Sequence, residues 1–97
     1  MRNFLAITLV SLMLTPVSPA VANESCFADY KAKQDNPLRL HYGVIQLDGA
    51  CNASAAQSEV AARLSRDGWV LLNVLSVFGQ DGLNERKASA GRYFLRF

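Results

Sequence analysis

Two cysteines, Cys26 and Cys51, constrain this chain more than any other pair of residues, because so little sequence stands around them. The first 22 residues read as a targeting leader. Arg2 gives a positive start, and Phe4 to Leu14 is almost entirely apolar (FLAITLVSLML). Pro16 and Pro19 break any helix, and Ala20-Val21-Ala22 has the small-x-small pattern of a signal-peptidase site. That apolar run is too short to cross the hydrocarbon core, which needs about 20 residues. A cleaved signal peptide over 1–22 is therefore expected rather than a membrane anchor. Cleavage leaves residues 23–97, a single small domain in an oxidising compartment, here the bacterial periplasm, with no stable membrane insertion.

A domain of this length buries little core and often needs a covalent staple. An even cysteine count in an exported chain points to a Cys26–Cys51 disulfide. Closing that loop should stabilise the fold by about 3.5 kcal/mol in the chain-entropy model. There is no C-x-x-C pattern, and a paired cysteine is not a nucleophile. Without Arg2, nine Lys/Arg face eight Asp/Glu, and so near-neutral a chain is not expected to bind nucleic acid.

Asn23 to Asn36 (NESCFADYKAKQDN) can form a short helix capped by Asn23 or Ser25, with Phe27, Tyr30 and Lys31 on one side; the alternative is an irregular arm pinned by Cys26. Pro37 ends it. Leu38 to Leu47 alternates, with Leu38, Leu40, Tyr42 and Val44 against Arg39, His41 and Gly43, as a half-buried strand does. Asp48-Gly49 then marks a turn.

Ser54 to Arg66 predicts the main helix. Ser54 and Gln57 fit a capping box, Ala56, Val60 and Leu64 share one face, and Asp67-Gly68 ends it. Trp69 to Phe78 (WVLLNVLSVF) is apolar on both sides and predicts a strand covered on both faces. Gly79 to Gly91 reads as a polar loop, and Arg92 to Phe97 alternates as a closing strand. The expected fold is α+β: a three-stranded mixed or antiparallel sheet in strand-helix-strand-strand order, one main helix on one face, and an N-terminal segment stapled by the disulfide. The closing strand should return between the other two.

From about His41 to Phe97 the chain resembles a family of small uncharacterised domains. Their pattern is a Tyr-x-Val strand, a helix, Gly-Trp-Glu-Leu-Val and a short aromatic strand. The matching residues are Tyr42-Gly43-Val44, Gly68-Trp69-Val70-Leu71-Leu72 and Tyr93-Phe94-Leu95, with Val70 where the family has glutamate. The resemblance implies the same element order and no activity. The ending Gly91-x-Tyr93-x-Leu95-x-Phe97 also resembles the last strand of an outer-membrane barrel, but three strands cannot close one.

No catalytic constellation stands out. His41 is the only histidine, without Cys, Asp or Glu at ligand spacing, so neither a metal nor another cofactor is expected. Asp48, Asp67 and Asp81 precede glycines and mark turns and a helix end. The most informative feature is the sheet face away from the helix, where strand alternation puts Arg39, His41, Arg92, Phe94 and Arg96. It could be covered by the N-terminal segment, by a second copy of the chain, or by an anionic or aromatic partner. The expected function is a non-catalytic interaction or binding module, with an unidentified protein partner or self-association. The alternative is a hydrolase-like or lyase-like enzyme using His41 with a nearby acid.

Overall fold

Cys26, Ala28, Tyr30 and Ala32 alternate with Phe27, Asp29, Lys31 and Lys33, and this period of two sets the centre of the sheet. The computed structural model describes residues 25–97, so the leader expected over 1–22 lies outside the described residues. Cys26–Gln34 forms strand β1 rather than a helix or an irregular arm. It pairs antiparallel with β2 (Arg39–Leu47) on one side and β3 (Val70–Gly79) on the other, giving the order β2-β1-β3. The turn between β1 and β2 carries a cis Asn36–Pro37 peptide, with Asn36 at φ 65°.

The fold class is the expected one: an antiparallel three-stranded sheet, a main helix and a Cys26–Cys51 disulfide. The strand, helix, strand passage from β2 through α1 (Ala53–Ser65) to β3 is also as expected. Because both outer strands run antiparallel to β1, they are parallel to each other, and the helix is the crossover between them. The strand lying between them comes from the start of the described chain, not from its end.

Helix α1 begins at Asn52, whose side chain accepts a 2.9 Å hydrogen bond from the Ala55 N–H. Asparagine therefore caps the helix, two residues ahead of the expected Ser54 cap. Gly68, at φ 80°, takes the left-handed position after the last turn. Ala56, Val60 and Leu64 of α1 pack on Cys26, Ala28, Tyr30, Ala32, Ile45 and Leu47, with Trp69 closing one end. Ala28 and Ala32 are fully buried and give the helix a close approach to the central strand. The disulfide joins the first residue of β1 to the loop ahead of α1, with 5.9 Å between Cα atoms.

The second face is covered by a segment that reads as a loop in the sequence. Gly79–Gly91 contains α2 (Asn84–Ala90), and Leu83 and Ala90 pack with Phe27, Val44, Phe78 and Phe94. Asp29 fixes this layer from below. It accepts hydrogen bonds from Ser76 (2.6 Å), Tyr42 (2.8 Å) and Arg86 Nε (3.0 Å).

Two further expectations change. Residues 92–97 do not form a strand. Gly91–Tyr93 is a 3-10 turn, Phe94 makes a single parallel bridge to Val44, and Leu95 turns away at φ 57°. Strand β3 is an edge strand, covered on both faces only near its end, where Phe78 packs with α2. Leu71, Val74 and Val77 meet the α1 core, whereas Val70, Leu72 and Leu75 are exposed. Leu72 and Leu75 fall at the two places where the β1–β3 register slips, and such bulges twist an edge away from flat pairing.

Candidate functional site

The face assignment of β2 decides where the predicted site residues lie. Tyr30, opposite Gly43 across the β1–β2 pair, faces α1, and so do the β2 residues of the same parity. Arg39 and His41 are therefore on the helix side, while Tyr42 and Val44 look toward α2. This is the reverse of the arrangement that the apolar content of Leu38, Leu40, Tyr42 and Val44 suggested. The reason is visible in β1, whose helix-facing residues demand a glycine opposite Tyr30.

His41 is buried at the open end of the core. Its ring stacks on Tyr93 with centroids 3.7 Å apart and planes 12° apart, and meets Trp69 edge-on at 4.3 Å. Phe97 lies 6.0 Å away on a nearly parallel plane. The Tyr30 hydroxyl and His41 Nε2 are 2.9 Å apart, and His41 Nδ1 is buried with no hydrogen-bond partner. Burial pushes the His41 pKa down to about 4, so the imidazole is neutral at neutral pH. Burial also raises the Tyr30 hydroxyl well above its ordinary value. No carboxylate hydrogen-bonds to His41, and the ring is enclosed by aromatic neighbours. The histidine packs among these rings, and among the described residues no acid lies within hydrogen-bond distance of it.

Above this aromatic floor lies a cleft of about 430 Å³ lined by Arg39, Asp67, Trp69, Arg92, Tyr93, Arg96 and Phe97. Three different parts of the chain build it. Arg39 opens β2, Asp67 and Trp69 follow α1, and the remainder comes from the tail. The tail is held by two anchors. The Leu95 N–H donates to the Val44 carbonyl at 2.8 Å, and Arg63 on α1 donates to the Phe97 carbonyl. Arg63 also donates to Gln46 O at 2.6 Å and to Glu59 at 2.8 Å, so one guanidinium ties the helix, β2 and the tail together.

Each cleft arginine sits over its own ring. Arg39 lies 5.8 Å from the Trp69 centroid, Arg92 5.5 Å from Tyr93, and Arg96 5.8 Å from Phe97. Among the described residues none of the three makes an ion pair, and Arg39 hydrogen-bonds only the neutral Gln34 side chain. A ring orients a guanidinium without neutralising it, whereas a carboxylate partner would cancel its charge.

The structure thus brings together Arg39, Arg92 and Arg96, with His41 buried beneath them. Phe94 is not part of the group. It belongs to the cluster on the other face, with Lys87 5.8 Å above its ring. Strand alternation placed Arg92, Phe94 and Arg96 on one side; the 3-10 turn and the positive φ at Leu95 separate them. Trp69, Tyr93, Phe97 and Asp67 were missed as lining residues. The signal for the tail was present in the alternation of arginine with aromatic side chains along Arg92-Tyr93-Phe94-Leu95-Arg96-Phe97.

Among the described residues no cluster of His, Cys, Asp and Glu could hold a metal ion, and no helix is long and apolar enough to cross a membrane. Comparison with family models, with curated proteins and with solved structures finds no match for the chain.

Proposed function

We propose that the chain is an exported, periplasmic binding module without catalytic activity, and that it holds an anionic ligand in the arginine–aromatic cleft. The observation that carries the proposal is the set of three guanidiniums, each lying over a ring and none paired with a carboxylate among the described residues. Orienting charged donors before the ligand arrives lowers the ordering cost of binding. The cleft volume lies within the usual range of small-ligand sites, about 300–1,000 Å³. The disulfide fits an oxidising compartment.

Trp69 is the only tryptophan and lines the cleft, so its fluorescence reports on occupancy directly. Titration of the protein with small carboxylate, sulfate and phosphate anions at low ionic strength should give a saturable change with at least one of them. The Arg92→Glu/Arg96→Glu variant should lose it. An identical response from that variant, or none from either protein, would remove the cleft as the site.

A second reading, self-association, is favoured by the outer edge of β3, which pairs with no strand among the described residues and exposes Val70, Leu72 and Leu75. Light scattering on the eluted protein decides it. A dimer that Leu75→Lys converts to monomer supports pairing through this edge, and a monomer at high protein concentration excludes it.

A further inference from the structure

The charge and shape of the cleft carry the proposed function one step further, to the chemical class of the ligand, and the step rests on that reading. We infer that the cleft recognises a phosphomonoester dianion. Among the side chains lining the cleft, three guanidiniums face the single side-chain carboxylate of Asp67, so positive side-chain charge is in excess. A carboxylate brings one charge and two oxygens, and a single bidentate arginine already matches that charge and engages both oxygens. A phosphoryl group brings about two negative charges at neutral pH and three acceptor oxygens. It can therefore engage three planar donor forks at once, and guanidinium geometry suits it better than ammonium.

The cleft also has room for whatever carries the phosphoryl group. The floor beneath the arginines is aromatic, formed by Trp69, Tyr93 and Phe97. Trp69 and the buried His41 ring are already packed edge to face. The rings thus serve mainly to seat the guanidiniums, and the apolar part of the ligand meets the exposed margins of Tyr93 and Phe97. Arg92 and Arg96 are themselves exposed, so the phosphoryl group can be delivered by a soluble ester or by a lipid headgroup.

The test uses the full described domain with phenyl phosphate and phenyl sulfate, which share a ring and three terminal oxygens but carry about two and one negative charges at neutral pH. Calorimetry should show one site, with phenyl phosphate bound at least about tenfold more tightly, a difference of the size expected for one extra charge-assisted contact. Arg92→Gln and Arg96→Gln should each weaken it by about tenfold or more, and the preference should fade as pH falls through about 6, where the phosphate dianion takes up a proton and becomes a monoanion. A parallel sedimentation arm uses vesicles of phosphatidic acid or phosphatidylglycerol in phosphatidylcholine. Selective capture by phosphatidic acid without binding of phenyl phosphate supports the inference with a lipid as the source. Equal, arginine-dependent binding of the two phenyl esters would overturn the dianion class and leave the binding module standing. No arginine-dependent binding of either ester or either vesicle would overturn both.

Discussion

The Tyr30 ring lies directly on Gly43, its partner across the β1–β2 pair. A Cβ atom built at Gly43 would stand 2.6 Å from Tyr30 Cζ and 2.9 Å from Cε1. Tyr30 is fully buried under α1, so the ring has nowhere to move. Gly43→Ala should therefore destabilise the fold by about 1–3 kcal/mol through overpacking. Urea unfolding measures it. Combining the change with Tyr30→Leu should recover part of the loss, because two residues in contact are not additive. A neutral Gly43→Ala would mean that the ring does not occupy this place.

Cys51 lies in the exposed loop ahead of α1, so replacing it removes the cross-link with little loss of packing. Cys51→Ala should cost about 3.5 kcal/mol from loop closure alone. In a domain this small that corresponds to a fall in Tm of more than about 10 °C. Calorimetry of the oxidised protein, the reduced protein and the variant provides the comparison. Equal melting of all three would take the staple out of the account of stability.

The parts of the fold that could be read in advance are those where one local signal dominates. The period-3.6 face of Ala56, Val60 and Leu64 and the glycine stop at Gly68 place α1 within one residue. The cysteine count gives the disulfide. What remained hidden depended on competition between signals. Phe27, Tyr30 and Lys31 at helical spacing masked the alternation of Cys26, Ala28, Tyr30 and Ala32, and only the tertiary fit of two alanines beneath α1 makes the strand win. In Asn84–Ala90, a seven-residue helix too short to show its own period is held by Asp29, a residue 57 positions from Arg86. For the site, strand alternation grouped Arg39, Arg92 and Arg96, but the tail is a 3-10 turn and not a strand, so the route by which it reaches the cleft was not legible. Nor was the inverted face of β2, because it follows from a glycine's need to lie opposite a tyrosine, which no single strand displays.

His41 sets a pH dependence whose sign follows from burial. Its pKa falls from the ordinary 6.5 to about 4 in the folded chain. Above pH 6.5 the imidazole is neutral in both states and its packing is fully available. Between 6.5 and about 4 the unfolded chain takes up a proton that the folded chain refuses, so stability declines as pH falls. The loss across that window is on the order of 3 kcal/mol. His41→Phe, which keeps a ring between Trp69 and Tyr93, should flatten the unfolding free energy over this range. A variant that loses stability from pH 6.5 to 4 as steeply as the parent would assign the slope to another group.

Asp29 governs the more acidic range, and through Arg86 it governs the second layer. Burial pushes its carboxyl upward, but the hydrogen bonds from Ser76, Tyr42 and Arg86 together outweigh burial and hold it below the ordinary value. Its contribution is therefore complete above about pH 4 and is lost only as pH falls further, after His41 has titrated. Arg86 also caps Gly82 O at 2.7 Å and covers the Phe78 ring at 3.9 Å, so the pair is the point where α2 meets the sheet. Arg86→Ala would leave a buried carboxylate uncompensated, at a cost of about 3 kcal/mol. Hydrogen exchange should then quicken in Asn84–Ala90 before it does in α1. Adding Asp29→Asn should restore part of the stability, since the stranded charge is gone, whereas a pair that only decorated the surface would give two small and additive effects.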